Sequence, residues 1–516
     1  MFKRILTAAT FALALVGCGE SSKPTETVTI LAGSELKDIE PKLQEIRKET
    51  GIDIQFKYIG TLDGADALVS GEHYDLAWFS HAKYLTLLQG DRKVIHASER
   101  IGLSPVIPAV KQSLAKEWGW IDNPNVTWAD LAEKARTGEF KYALTDPTAS
   151  NSGFSTVMGV QAAFSGSSDA ITVESIDQAK LKDFFSGQTL TSGSSGWLAG
   201  TFVKEQNRLD GLFNYESILL TMNRSGDLEE PLTLIYPKDG VVTADYPLLL
   251  IDPSKRAAFD KLVAYFKTPD FQQWMMENTY RRPVVSGVKP IGIFPDNYLM
   301  ELPFPARLDV VNEMLFGFLN IHRKPNTAIF VLDISGSMKN EQRIRQLKQA
   351  IVNLTGEDTS VTGKFAQFRI REKVVLIPFN EHVMKSTVFE IDDTEVMQDV
   401  ANFAQRLEPR GGTAIYDALE AAYAFANEER QAHPDRLYSV VLMTDGSNTA
   451  GSDYLSFLAW YKQRSDKFVD IRTFPVLFAG SDDSEMKSVA ELTGGRTFDG
   501  RKVSLSHVFK KIRGYQ

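Results

Sequence analysis

Ala328-Ile329-Phe330-Val331-Leu332-Asp333-Ile334-Ser335-Gly336-Ser337 is the most informative stretch of this chain. Its unbroken apolar half has the content of a strand buried on both faces, the habit of parallel sheets. Its second half turns abruptly to the oxygen-bearing side chains of Asp333, Ser335 and Ser337. Ile344, Leu347, Ile351 and Leu354 then recur at helical intervals, and residues 374–379 and 437–443 are further apolar runs. Val396, Val400, Phe403 and Leu407 repeat in the same way, as do Ile415, Leu419, Ala422 and Ala426. Strands alternating with amphipathic helices predict an α/β unit over residues 326–516.

Two more loops in that unit carry the same chemistry. Gly411-Gly412-Thr413 opens a helix pattern, and Thr444-Asp445-Gly446 follows an apolar run. With Asp-x-Ser-x-Ser they resemble the metal-ion-dependent adhesion site (MIDAS) of the von Willebrand factor A (VWA) domain, whose fold is Rossmann-like. The resemblance implies that Asp333, Ser335, Ser337, Thr413 and Asp445 hold a divalent cation. It also implies that the three hydroxyls bind directly, that the aspartates act largely through water, and that a protein partner's carboxylate takes the vacant position. Hydroxyl and carboxylate oxygens without His or Cys suit Mg²⁺ or Mn²⁺ better than zinc. Gly495 to Gly500 has the glycine spacing of a nucleotide-binding loop, but Arg501 and Lys502 stand where Lys and Ser/Thr are needed.

The first half of the chain alternates as well. Residues 27–31 and 52–59 are apolar runs separated by a helix-like pattern of Ile39, Leu43 and Ile46, and residues 74–79 end at Ser80 just as the first run ends at Gly33-Ser34. In open α/β sheets, solutes bind beyond the carboxyl ends of strands. Leu31-Ala32-Gly33-Ser34, the stretch from His73 to Ser80, Ser104-Pro105-Val106, Asp146-Pro147-Thr148-Ala149-Ser150-Asn151-Ser152-Gly153 and Asn214-Tyr215-Glu216-Ser217 resemble, in order, the two-lobed (type II) periplasmic solute-binding proteins of ABC transporters. Two α/β lobes hinged about a cleft are therefore expected over residues 27–300. The resemblance places Ser34 and Ser80 on the first lobe's wall. It places Asn151, Ser152 and Gly153 at a helix N-terminus of the second, with Tyr215 closing one side. Such hydroxyl-rich walls suit a small solute, an oxyanion among the candidates. Glu216 is expected to be exposed or helix-capping, and Gly193-Ser194-Ser195-Gly196 a flexible loop. Between the halves, residues 301–325 read as a connection whose Val310, Met314 and Phe318 predict a packed helix, ended by Arg323-Lys324-Pro325.

The amino terminus has its own signature. Lys3 and Arg4 precede an apolar run over residues 5–16, the form of an export signal. That run is too short for the ~30 Å of a bilayer's hydrocarbon core, which takes about 20 residues. Leu15-Val16-Gly17-Cys18 resembles the bacterial lipobox, which implies a signal peptide over residues 1–17, lipidation of Cys18, and a polar tether over 18–26. Cys18 is the one cysteine, so intramolecular disulfides and multi-cysteine metal sites are excluded. The 516 residues carry 57 Lys+Arg against 66 Asp+Glu, a net charge of -9 that gives no general attraction to phosphate backbones and argues against a nucleic-acid partner.

No Gly-x-Ser-x-Gly elbow, His-Glu-x-x-His helix or phosphate loop occurs, so the chain is read as a binding protein and not an enzyme. The expected function is a lipid-anchored lipoprotein of the cell envelope, facing the periplasm or exterior, that captures a small solute and binds a protein partner through the cation. A receptor for an ABC transporter whose VWA domain serves assembly is the alternative, with metal-dependent hydrolysis a third.

Overall fold

The structure is a computed structural model that describes residues 26–166, 171–295, 299–479 and 483–516. The expected signal peptide, Cys18 and nearly all of the tether lie outside the described residues.

Three sheets organise the described chain. In the first, the strands run in the order Ile52–Tyr58, Glu26–Ala32, Leu76–Trp78, Pro247–Leu250, Ala97–Arg100. The first three are parallel, and Pro247–Leu250 runs against its neighbours. In the second sheet the order is Val242–Ala244, Ser104–Lys111, Gly211–Tyr215, Tyr142–Thr145, Gln188–Ser192, with Leu232–Leu234 also paired to Ser104–Lys111. The chain passes from the first sheet to the second after Ala97–Arg100 and returns between Val242–Ala244 and Pro247–Leu250. Two lobes joined by these crossings, and by a third between the helix Pro269–Thr279 on the first lobe and Glu301 beside Val241 on the second, follow from this connectivity, the arrangement that permits hinge closure.

The third sheet is ordered Thr387–Glu390, Lys373–Phe379, Asn326–Asp333, Leu437–Thr444, Ile471–Leu477, Phe498–Asp499, and only Thr387–Glu390 is antiparallel. Every residue of Asn326–Asp333 is buried. Period-2 alternation explains how both faces are used. Ala328, Phe330 and Leu332 pack with Leu347 and Ile351 of the helix Arg343–Val352. Ile329 and Val331 pack with Ile415, Leu419 and Ala422 of the helix Ile415–Ala432. The chain is thus α/β throughout.

The connection is packed, not a spacer. Helix Leu308–Gly317 buries Val311, Met314 and Leu315 in an apolar cluster shared by the two lobes, with Tyr84 and Leu85 of the first and Phe154 and Val157 of the second, and the Phe318 ring lies 4.9 Å from that of Phe185. The third-sheet unit also touches both lobes. Thr362 donates to Asp66 on the first lobe, while Arg472 pairs with Glu205 on the second at 2.6 Å. The Tyr515 ring stands 5.1 Å from Trp197 and presses on Gly193, where an added Cβ would come within 2.5 Å of it.

Two sequence expectations change here. Gly193-Ser194-Ser195-Gly196 is a connection only over Gly193 and Ser194: Ser194 caps the helix Ser195–Glu205, which takes in Ser195 and Gly196, by accepting from Trp197 N. Glu216 is neither exposed nor a cap; it is fully buried and held by Arg282 at 2.6 and 2.8 Å and by the Tyr236 hydroxyl at 2.5 Å. Its partners lie far along the chain, so no local pattern announces them.

Candidate functional site

At the carboxyl end of the third sheet, the loop after Asn326–Asp333 carries Asp333, Ser335 and Ser337. Asp333 is fully buried; its Oδ1 accepts from Ser335 N at 2.7 Å and its Oδ2 from Thr444 Oγ1 at 2.6 Å. Ser335 Oγ lies 2.9 Å from Ser337 Oγ, which in turn donates to Asp445 Oδ1 at 2.7 Å. The loop bearing Thr413 is fastened alongside by Gly336 N donating to Gly411 O at 2.9 Å, and Thr413 itself is buried with its N–H on Thr449 Oγ1. A Cβ at Gly336 would lie 3.3 Å from Gly411 O, so this close approach favours glycine.

The site gathers two buried acids, Asp333 and Asp445. Burial pushes the Asp333 carboxyl above the usual range, and Asp445 nearby adds to the effect. Two acids held together away from water are relieved by a positive charge. Part of it comes from within: Arg343 Nη1 donates to Asp445 Oδ2 at 2.8 Å. Nothing in the sequence pattern marks Arg343, at the start of the helix after the Asp-x-Ser-x-Ser loop, as the partner of Asp445. Asp417 lies in the first turn of Ile415–Ala432 and accepts from Ser452 N.

Between the lobes, the cleft is shut. A Cβ on Gly60 of the first lobe would lie 2.5 Å from Ala149 O of the second. Ser80 and Tyr215 are fully buried and face each other with the Glu35 carboxyl nearby. Asn151 Nδ2 reaches the Tyr215 hydroxyl at 3.4 Å. Ser152 Oγ sits 2.8 Å from both Thr145 Oγ1 and Ser195 Oγ. Gly153 packs under Thr145, whose carbonyl oxygen would lie 2.1 Å from an added Cβ.

Ser34 stands apart from this group: it is exposed. The 3-10 turn that begins there directs its hydroxyl to solvent and the next side chain, Glu35, inward. Glu35 Oε1, Ser80 Oγ and Asn151 Oδ1 are buried without a hydrogen-bond partner of good geometry. Burial raises the Glu35 carboxyl above its ordinary range. Beside it, Arg281 is neutralised by Asp38 at 2.6 Å and stacks on the Tyr246 ring at 4.5 Å. Glu35, Tyr246 and Arg281 were missed because two of them come from the far end of the lobe, and the third hides next to a more conspicuous serine.

Residues 28–281 match the family model described as bacterial extracellular solute-binding protein, and residues 328–448 match that of the von Willebrand factor type A domain. The chain is a solute-binding module followed by a VWA domain. The curated relatives match only a fraction of their own length: inter-alpha-trypsin inhibitor heavy chain H2 of Mesocricetus auratus is 29% identical over 162 residues, 29% of this chain and 16% of that protein. Among solved structures, the periplasmic binding protein AfuA from Actinobacillus pleuropneumoniae, with fructose-6-phosphate bound, is 13% identical, with a TM-score of 0.44 over 57% of this chain and 98% of that one. A von Willebrand factor type A structure from Catenulispora acidiphila is 17% identical, with a TM-score of 0.30 over 37% of this chain and 42% of that one. Among the described residues, no helix is long and apolar enough to cross a membrane.

The solute-binding module also buries a histidine. His81, next to Ser80, is fully buried with its ring 5.4 Å from Phe154 and 6.4 Å from Phe304. Burial first, then the Lys83 charge, push its pKa down to about 3. In the unfolded chain it titrates near ~6.5, so unfolding takes up a proton between those values. The stabilisation is complete above the unfolded value and is lost as pH falls toward the folded one, at about 1.4 kcal/mol per pH unit. Urea unfolding at neutral pH and near ~pH 4 tests this with His81→Phe, which is expected to lose less stability over the interval than the parent. Equal losses would show that His81 contributes nothing to acid sensitivity.

Proposed function

We propose that this chain is a lipid-anchored cell-envelope protein that closes its two lobes on a small solute and binds a protein partner through its VWA domain. The observation that carries the second half is the hydrogen-bonded run from Ser335 through Ser337 to Asp445, with Asp333 orienting Ser335 and the Thr413 loop fastened alongside. Asp333, Ser335, Ser337, Thr413 and Asp445 would hold Mg²⁺ or Mn²⁺, their hard oxygens being the matching chemistry. Such an ion supplies Lewis-acid affinity for a partner's carboxylate. The chain's own residues position the hydroxyls, exclude bulk water through burial, and engage Asp445 Oδ2 with Arg343. Both modules come from families that generally bind without turnover, and we read this chain as a binding protein and not an enzyme.

The buried Glu35 carboxyl favours a solute that offers hydrogen-bond donors over a fully ionised oxyanion. The solute-binding family places the module outside the cytoplasm, which accords with a signal peptide over 1–17 and an anchor at Cys18. Contact of the VWA domain with both lobes supports coupling, whereby lobe closure alters partner affinity. Immobilised protein is expected to capture an acidic partner from envelope extract in Mg²⁺, to release it in EDTA, and to fail when Thr413 is alanine. Capture that persists through chelator and substitution would refute the metal-bridged reading.

A further inference from the structure

We propose that a cavity between the second lobe and the VWA domain, at the end of the third sheet away from the Asp333 and Asp445 loops, binds a small anion bearing carboxylate or phosphate. The cavity holds about 360 Å³ and sits where the strands Asn326–Asp333, Leu437–Thr444 and Ile471–Leu477 begin. That volume is in the range of small-molecule sites.

Its walls are cationic in an acidic protein. Lys324, Arg430, Arg436 and Arg472 line it against one acid, Asp470. Asp470 is already paired with Arg208, and Arg472 with Glu205. The other three make no direct ion pair among the described residues, although Asp470 and Asp435 attract Lys324 from farther off. Arg430 is held by the carbonyls of Val469 and Lys467, and Arg436 by Thr327 Oγ1 and the carbonyls of Asn326 and Arg371. These contacts fix the guanidiniums in place without neutralising them. Lys324 is half-buried, and the burial lowers its ammonium pKa, a cost that an anion would remove.

Hydrogen-bonding capacity is left over as well. Thr189 Oγ1, Arg472 Nε and Gln516 Nε2 are buried without partners, and all three residues line the cavity. A preorganised guanidinium pair and an ammonium match the oxygens of carboxylate or phosphate. Tyr438, Leu437 and Pro434 add an apolar side for a carbon skeleton. Because Thr189 and Thr191 belong to the second lobe and the cations to the connection and the VWA domain, an anion here would brace the modules together.

Titration calorimetry of the full chain with inorganic phosphate, glycerol 3-phosphate and citrate, at fixed ionic strength, tests the site. At least one probe is expected to bind saturably, and more weakly as NaCl rises. Phosphate probes binding alone assigns phosphate, and citrate binding alone assigns carboxylate. Lys324→Gln is expected to weaken that binding at least about tenfold through loss of a charge-assisted contact. Thr189→Val, a milder change that keeps its shape, is expected to weaken it less. Absence of saturable binding by all three probes, or affinity unchanged in Lys324→Gln or, if that variant does not fold, in Thr189→Val, overturns the proposal.

Discussion

Asp333→Ala is expected to abolish divalent-ion binding by the VWA domain while leaving the solute-binding module folded. Asp333 spends both carboxylate oxygens orienting Ser335 N and Thr444 Oγ1, so its loss removes a negative charge and frees the loop that carries two hydroxyl donors. Changes to outer-shell partners of metal ligands cost about 10–100-fold in affinity. Asp333 combines that positioning role with a buried charge near Asp445, and the loss is expected to exceed that range. Calorimetric titration with Mn²⁺ reads it directly, with circular dichroism reporting the fold. Parent-like Mn²⁺ affinity in the variant would remove Asp333 from the account.

Glu372→Ala is expected to be the most destabilising single change in the VWA domain. Glu372 sits just ahead of the strand core, 3% exposed, and joins Arg323 of the connection at 2.5 Å to Arg513 of the last helix at 2.6 Å. It also accepts from Arg369 N at 2.9 Å. Burial acts to raise this carboxyl, yet the Arg513 and Arg323 guanidiniums outweigh it and hold the pKa below the usual range. The ion triad therefore stabilises fully above the unfolded carboxyl pKa and fades as pH drops through the lower folded value. Removing one partner of a buried pair costs about 3–5 kcal/mol, since the remaining charges stay buried and unmatched. Here two guanidiniums would be left facing each other. Denaturant unfolding at neutral pH followed by a VWA-domain probe measures the loss, and a variant as stable as the parent would contradict the argument.

Much of the architecture could be read from local pattern. The apolar run 328–332 lies inside the strand Asn326–Asp333, and the helical repeats at Leu347 and Ile351, Val400, and Leu419 and Ala422 fall within helices that bury those residues. Periodicity succeeds there because each residue's face is fixed by its own element. The same reasoning fails where partners are remote. Glu216 meets Arg282 across 66 residues, and Arg323 meets Glu372 across 49. Nothing near Glu216 distinguishes a buried ion-pair carboxylate from a solvated one. Ser34 shows the complementary limit, because which of two adjacent residues faces a cleft depends on the dihedrals of a single 3-10 turn.

Oxygen donors from separate loops were legible as a motif, but their internal counter-charge was not. Arg343 engages Asp445 Oδ2, leaving Oδ1 to Ser337. Packing of the VWA domain on both lobes was equally invisible, since Tyr515 against Trp197 and Thr362 against Asp66 join segments without any shared sequence pattern.

Diffraction from crystals of the full chain soaked in Mn²⁺, recorded for anomalous scattering, addresses the central claim most directly. The account predicts one strong peak among Ser335, Ser337 and Thr413, with Asp333 and Asp445 behind it. No peak there, or an ion bound only elsewhere on the protein, would contradict it.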